Sequence, residues 1–228
     1  MGVGAAPQAV GDPVRVTPNP PDGVTRLSIF PLSGALLFPG LRLPLHIFEP
    51  RYRALVSDAM ARDRRIGMIQ PKVQGFSAPG DPPPLFEVGT VGRIADVEML
   101  EDGRSNIVLE GVARFRVVRE LPVATLFRQV EAELIEEGGD ALAAVVRASL
   151  EQEARRFAEA HGYLVDWSQV GRLDDESLVN GIAQIAPFDS AAKQALLETD
   201  ALAERAELTI QLLQFFGRHD GDDLVTLQ

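Results

Sequence analysis

Apolar residues recur at every second position through the middle of the chain and at every third or fourth toward its end. The first period belongs to strands and the second to helices. The clearest stretch is VGRIADVEMLEDGRSNIVLEG, residues 91–111. It predicts a β-hairpin turning at Asp102-Gly103, in the type I′ form that needs positive φ at both residues. Downstream, Ile107 and Leu109 alternate with Asn106 and Glu110, and Phe115 and Val117 with Arg114 and Arg116. That alternation predicts one buried face and one wet face. Upstream, Arg93 shares a face with Val91, Ala95 and Val97, which predicts a bulge or a barrel rim. RLSIFPL, RLPLHIF and RIGMIQP are short apolar runs punctuated by Pro and Gly, and FRQVEAELI reads as a closing strand.

One helix interrupts these runs. Pro50 suits a first helical position, where its missing N–H costs nothing. Tyr52, Leu55, Val56, Ala59 and Met60 then follow at helical spacing. Beyond residue 138 the pattern is helical throughout. Leu142, Val145, Val146, Leu150, Ala154 and Phe157 make one stripe, which Gly162 ends. Asp174 or Asp175 caps the next helix, Asp189 caps SAAKQALLE, and Asp200 is expected to open the last. The fold class is α+β in series: a β-rich, barrel-like half over 26–137 with one helix, then a small α-helical bundle over 138–217. The Gly- and Pro-rich residues 1–25 read as a disordered arm, and 218–228 as an acidic tail.

Charge and composition narrow the function. Of 228 residues, 22 are Lys or Arg and 33 Asp or Glu, a net charge of −11. Such a field repels phosphate backbones and anionic membranes, so neither is an expected partner. The absence of cysteine removes disulfides, thiolate nucleophiles and Cys-containing metal sites. No run of about 18 apolar residues spans a membrane, and the first residues lack the form of a secretory signal. A cytoplasmic protein is expected.

Candidate chemistry is thin. The chain has two lysines, Lys72 and Lys193, and neither stands in a Gly-Lys-Ser/Thr phosphate loop. GFSAPG at 75–80 misses the nucleophile-elbow spacing and runs into Pro82-Pro83-Pro84. His161 is accounted for by a helix C-terminus. His219 precedes Asp220 and Gly221, too near the end of the chain for a calcium loop. The stretch LRLPLHIFEPRYR, with His46 and Glu49, reads as strand, corner and helix. His46 and Glu49 then fall on different elements. No catalytic residue, metal ligand or cofactor is expected.

FPLSGALLFPGLRLPLHIFEPRYRALVSDAM closely resembles the start of the amino-terminal substrate-binding domain of Lon proteases. RIGMIQ, FEVGTVGRIADVEML, DGRSNIVLEGVARFRV and LVNGIAQIAPFDSAAKQALLETDALAERAELTIQLL resemble its later blocks in order, over roughly residues 26–216. The resemblance implies a PUA-like β pseudo-barrel followed by a helical bundle; a related domain occurs in cereblon. His46, Phe48, Glu49, Pro50, Arg51 and Tyr52 become its structural signature. Lon proteases continue into ATPase and Ser–Lys peptidase domains, for which this sequence carries no motif. The expectation is therefore a stand-alone, non-enzymatic module. Its implied partners are unfolded or exposed apolar protein segments, with an ATP-dependent protease or chaperone beside it. The loop PKVQGFSAPGDPPPLFEVG offers Phe76 and Phe86 as a peptide-binding lip, or else serves as a passive connector. The alternatives are an ATP-independent hydrolase and an RNA-binding PUA-like protein. RNA binding would need Arg51, Arg53, Arg62, Arg64 and Arg65 on one surface.

Overall fold

The computed structural model describes residues 23–72, 82–136, 138 and 141–222. The alternating runs form six strands: β1 Val24–Pro31, β2 Arg42–Ile47, β3 Arg65–Ile69, β4 Val88–Met99, β5 Ser105–Leu121 and β6 Gln129–Leu134. Their order is β2-β5-β4-β3-β1-β6, and β6 pairs a second time with β5. That second pairing closes the sheet into a pseudo-barrel. β3 lies parallel to β1. Parallel neighbours need a long crossover, which β2 and helix α1 (Pro50–Met60) supply.

The irregularity expected in β4 is a pair of register shifts against β5, with one extra residue on each strand. Register shifts fall between Val91 and Gly92 and between Ile94 and Asp96. The first leaves Val112 of β5 without a partner and the second leaves Ala95 of β4, and Val91 and Ile94, three positions apart, are both buried. At Gly111 in β5 an added Cβ would lie 2.2 Å from the Phe38 carbonyl oxygen, so only glycine lets the β1–β2 connection pack so closely.

The hairpin turn is not type I′. Gly103 has φ 78, but Arg64 is the one non-glycine residue with positive φ among the described residues, so Asp102 is right-handed. Gly103 N–H donates to the Leu100 carbonyl, and Leu100 N–H to that of Arg104, each at 2.9 Å. This is the three-residue loop with glycine in the left-handed position. Asp102 instead accepts the Arg104 N–H at 3.0 Å. That bond, above all, holds its carboxyl below the usual range.

Five helices follow: α2 Ala144–Ala160, α3 Trp167–Val170, α4 Asp175–Ile185, α5 Ser190–Glu198 and α6 Leu202–Asp222. Gly162, at φ 69, follows the C-cap His161 of α2. Asp174 caps α4 by accepting Ser177 N–H, and Asp189 caps α5 by accepting Ala192 N–H, both at 2.7 Å. Asp200 does not cap α6. The helix starts at Leu202, Arg205 N–H donates to the Ala201 carbonyl, and the Asp200 carboxylate turns to Arg114 and Arg116 at 3.4 and 3.5 Å. α6 runs on into the segment read as an acidic tail.

The two halves share a core. Leu36 and Phe38, from the β1–β2 connection, pack with α2, α4, α5 and α6 residues such as Leu150, Val179, Leu196 and Leu213. Burying a phenylalanine contributes roughly 1.5–3 kcal/mol. Gln184 on α4 accepts the Phe38 N–H at 2.9 Å and donates to the Arg42 carbonyl at 2.9 Å. Lys193 Nζ donates to the Gln184 carbonyl at 2.7 Å, and burial lowers its pKa.

Two faces differ from the sequence pattern. Arg114, expected on the wet face of β5, is fully buried, because the α5–α6 junction covers it. Val145, expected in the buried stripe of α2, is 72% exposed. It lies in the helix's first turn.

Candidate functional site

His46 lies on the exposed face of β2, and its Nδ1–H donates to Asn106 Oδ1 at 2.7 Å. Asn106 Nδ2 donates in turn to Glu98 at 2.8 Å. Phe48 is exposed beside His46, its ring centroid 6.0 Å away. Glu49 is the N-cap residue of α1 without a side-chain capping bond; Arg51 Nε donates to its carboxylate at 2.8 Å. Pro50 takes the first helical position. Tyr52 packs on Phe30 and donates to the Pro31 carbonyl at 3.0 Å. Burial raises its pKa. His46 and Glu49 therefore serve different neighbours. Among the described residues no three His, Asp or Glu side chains gather as metal ligands. Of the arginine cluster, Arg62 pairs with Asp58 at 3.0 Å and Arg65 with Asp63 at 3.9 Å.

Phe76, and with it the GFSAPG stretch, lies outside the described residues. Phe86 is half-buried: its N–H donates to the Gln70 carbonyl at 2.9 Å, and Lys72 Nζ sits 5.7 Å from its ring centroid. A cleft of about 250 Å³ opens nearby, with Tyr52, Pro71, Pro82, Pro83 and the exposed Leu126 among its walls.

The apolar site is elsewhere, in the bundle. The last turns of α2 contribute Ala154, Phe157 and Ala158; the connection to α4 contributes Tyr163, Val165, Trp167, Val170 and Leu173; α4 contributes Leu178, Gly181, Ile182 and Ile185. With Ala186 and Leu213 they enclose a groove of about 170 Å³ without a charged side chain in its lining. Its wall is built by local capping. Asp166 accepts the N–H groups of Ser168 and Gln169 at 3.0 and 3.3 Å, which starts α3 and sets Trp167 into the groove. His161 stacks on Phe157 with centroids 3.9 Å apart, and its Nδ1–H donates to the Phe157 carbonyl at 2.8 Å. Tyr163 follows at 5.9 Å from His161. Of the lining residues, Tyr163 and Ile185 are exposed, Ile185 by 78%. Isolated exposed apolar residues need no explanation, but a contiguous group around an apolar groove marks a binding surface.

Periodicity did not single out this groove. The signal lay in HGYLVDW at 161–167, an apolar cluster that fits neither a helical stripe nor strand alternation.

A closed β pseudo-barrel carrying one crossover helix, locked to a five-helix bundle with an apolar groove, makes this an α+β protein. The family model described as the ATP-dependent protease La (LON) substrate-binding domain matches residues 26–214, and the chain belongs to that family. Lon protease 2 of Myxococcus xanthus is 30% identical over 222 residues, which cover 92% of this chain and 26% of the relative. The chain thus spans about a quarter of the length of the curated relatives it matches. The crystal structure of a Lon N-terminal domain protein from Xanthomonas campestris superposes with a TM-score of 0.63 at 25% identity, covering 84% of this chain and 98% of that one. The N-terminal domain of the Mycobacterium avium complex Lon protease gives 0.65 at 18% identity, over 83% and 98%. Among the described residues, no helix is long and apolar enough to cross a membrane.

Proposed function

We propose that this chain binds exposed apolar segments of other proteins without itself catalysing a reaction, as an adaptor or chaperone-like factor of cytoplasmic protein quality control. In this reading it acts beside an ATP-dependent protease or chaperone. The observation that carries the reading is the uncharged bundle groove, ringed by exposed apolar residues, on a chain of a substrate-binding family. A lysine or carboxylate side chain entering it would lose hydration without a partner, whereas leucine or phenylalanine would lose only contact with water. Gly181 leaves open space in its wall: a Cβ there meets nothing within 4 Å.

The test is fluorescence anisotropy of a labelled, permanently unfolded client against the purified chain. Saturable binding is expected, and Gly181→Leu, which fills the groove, weakens it. No saturable binding to any unfolded client or apolar peptide overturns the reading.

A second contact for the same segments is the proline-walled cleft at Leu126, the observation in its favour being that exposed leucine. In this reading the half-buried Phe86 offers a further apolar contact on the segment that carries Pro82 and Pro83.

A further inference from the structure

We infer that the groove selects apolar segments flanked by acidic residues. The inference rests on the recognition reading above, and it comes from the rim. Because the lining is uncharged, discrimination by charge falls to the side chains around the mouth. One guanidinium is held there by contact, and a second arginine belongs to the same wall segment. Arg155 Cζ lies 4.7 Å over the ring of Trp167, a lining residue, and Arg172 lies between the lining residues Val170 and Leu173 in sequence. Both are exposed, and among the described residues neither forms an ion pair.

The aspartates next to the lining residues in sequence, Asp166 beside Trp167 and Asp174 beside Leu173, are engaged differently. Asp166 accepts two backbone N–H groups and the Ser168 hydroxyl, and Asp174 accepts the Ser177 N–H and hydroxyl. Each sits at a helix N-terminus, whose positive end offsets its charge. A carboxylate flanking an apolar anchor would therefore meet Arg155 over Trp167, with Arg172 in the same wall segment, and guanidinium–carboxylate bonds are the stronger, directional kind.

The whole-chain charge of −11 acts the other way, drawing basic segments toward the protein at long range. The rim and the overall field thus call for opposite preferences, and experiment separates them. Three labelled peptides share one Leu/Phe core, flanked by Glu, by Ser or by Lys. Each is titrated against the full chain, against the Arg155→Glu/Arg172→Glu variant and against Gly181→Leu. The Glu-flanked peptide is expected to bind roughly three- to tenfold tighter than the Ser-flanked one, the order to reverse in the double variant, and the preference to shrink at high salt. Both arginines are exposed, so the charge swap leaves folding intact, which a thermal melt verifies. Equal binding of the three peptides, or a Lys-flanked preference, overturns the inference and leaves the recognition reading standing. Binding that persists with its preference in Gly181→Leu also overturns it, by locating the site elsewhere. No binding by any of the three overturns the recognition reading and the inference with it.

Discussion

Arg114 and Arg205 donate to the same carbonyl oxygen, that of Thr199, one from the barrel and one from the bundle, each at 3.0 Å. Both side chains are fully buried. Arg114 also reaches the Leu197 carbonyl at 2.9 Å, and Arg205 reaches Asn180 Oδ1 at 3.0 Å. The carbonyls belong to the C-terminus of α5, where a helix leaves acceptors without intrahelical donors and where its dipole is negative. Two cations at that end satisfy both needs and join the halves of the molecule.

Arg114→Met keeps much of the volume but strands buried acceptors, and should lower the unfolding free energy by about 2–4 kcal/mol. Arg116→Met, at a half-exposed residue 3.5 Å from Asp200, should change it by less than about 0.5 kcal/mol. Urea titrations of both variants check the contrast.

Glu49 places a negative charge beside the N-terminus of α1 and pairs with Arg51. Glu49→Ala is expected to cost about 0.3–1 kcal/mol of stability and to leave client affinity unchanged. A melting curve and an anisotropy titration on one sample show it; lost affinity at unchanged stability would give this stretch a binding role.

Asp175 accepts from Arg147 and, at 2.7 Å, from the Leu142 N–H. The Arg147 bond first, and then the Leu142 bond, hold its carboxyl below the usual range. A carboxyl depressed in the folded state contributes stability above its unfolded pKa of about 3.9, and loses it as pH falls through the folded value. Urea midpoints should therefore drop below about pH 4. Asp175→Asn, which cannot titrate, should be weaker by about 1 kcal/mol at pH 7 and fall less steeply with acid.

Gly181 lies inside α4, where glycine is about 0.5–1 kcal/mol worse than alanine. Since the added Cβ meets open space, Gly181→Ala should raise stability by that amount while making the groove shallower. A higher melting temperature together with weaker client binding is the expected pair of results.

The elements themselves were legible because each is encoded locally. Pro50 opens α1, Asp174 and Asp189 cap their helices, and the awkward face of Arg93 announced the β4 register shifts. Local patterns misled where another element supplied the environment. Asp102-Gly103 is a common type I′ pair, yet the Asp102–Arg104 bonds accompany a different loop. Asp200 looks like a helix cap, but it faces arginines that lie more than 80 residues earlier.

The order of the elements, the α+β class and the family are written locally in the chain, since period, caps and ordered motifs are read within a few residues. Which polar face is covered and which apolar cluster is left open depend instead on how distant segments pack. Arg114 alternates like a solvated residue and is buried because α5 ends over it. Phe157, Trp167 and Gly181 belong to three segments, α2, the connection and α4, and become a groove where the connection after α2 folds back beside α4. Burial and concavity are relations between distant parts of the chain, and no local pattern carries them.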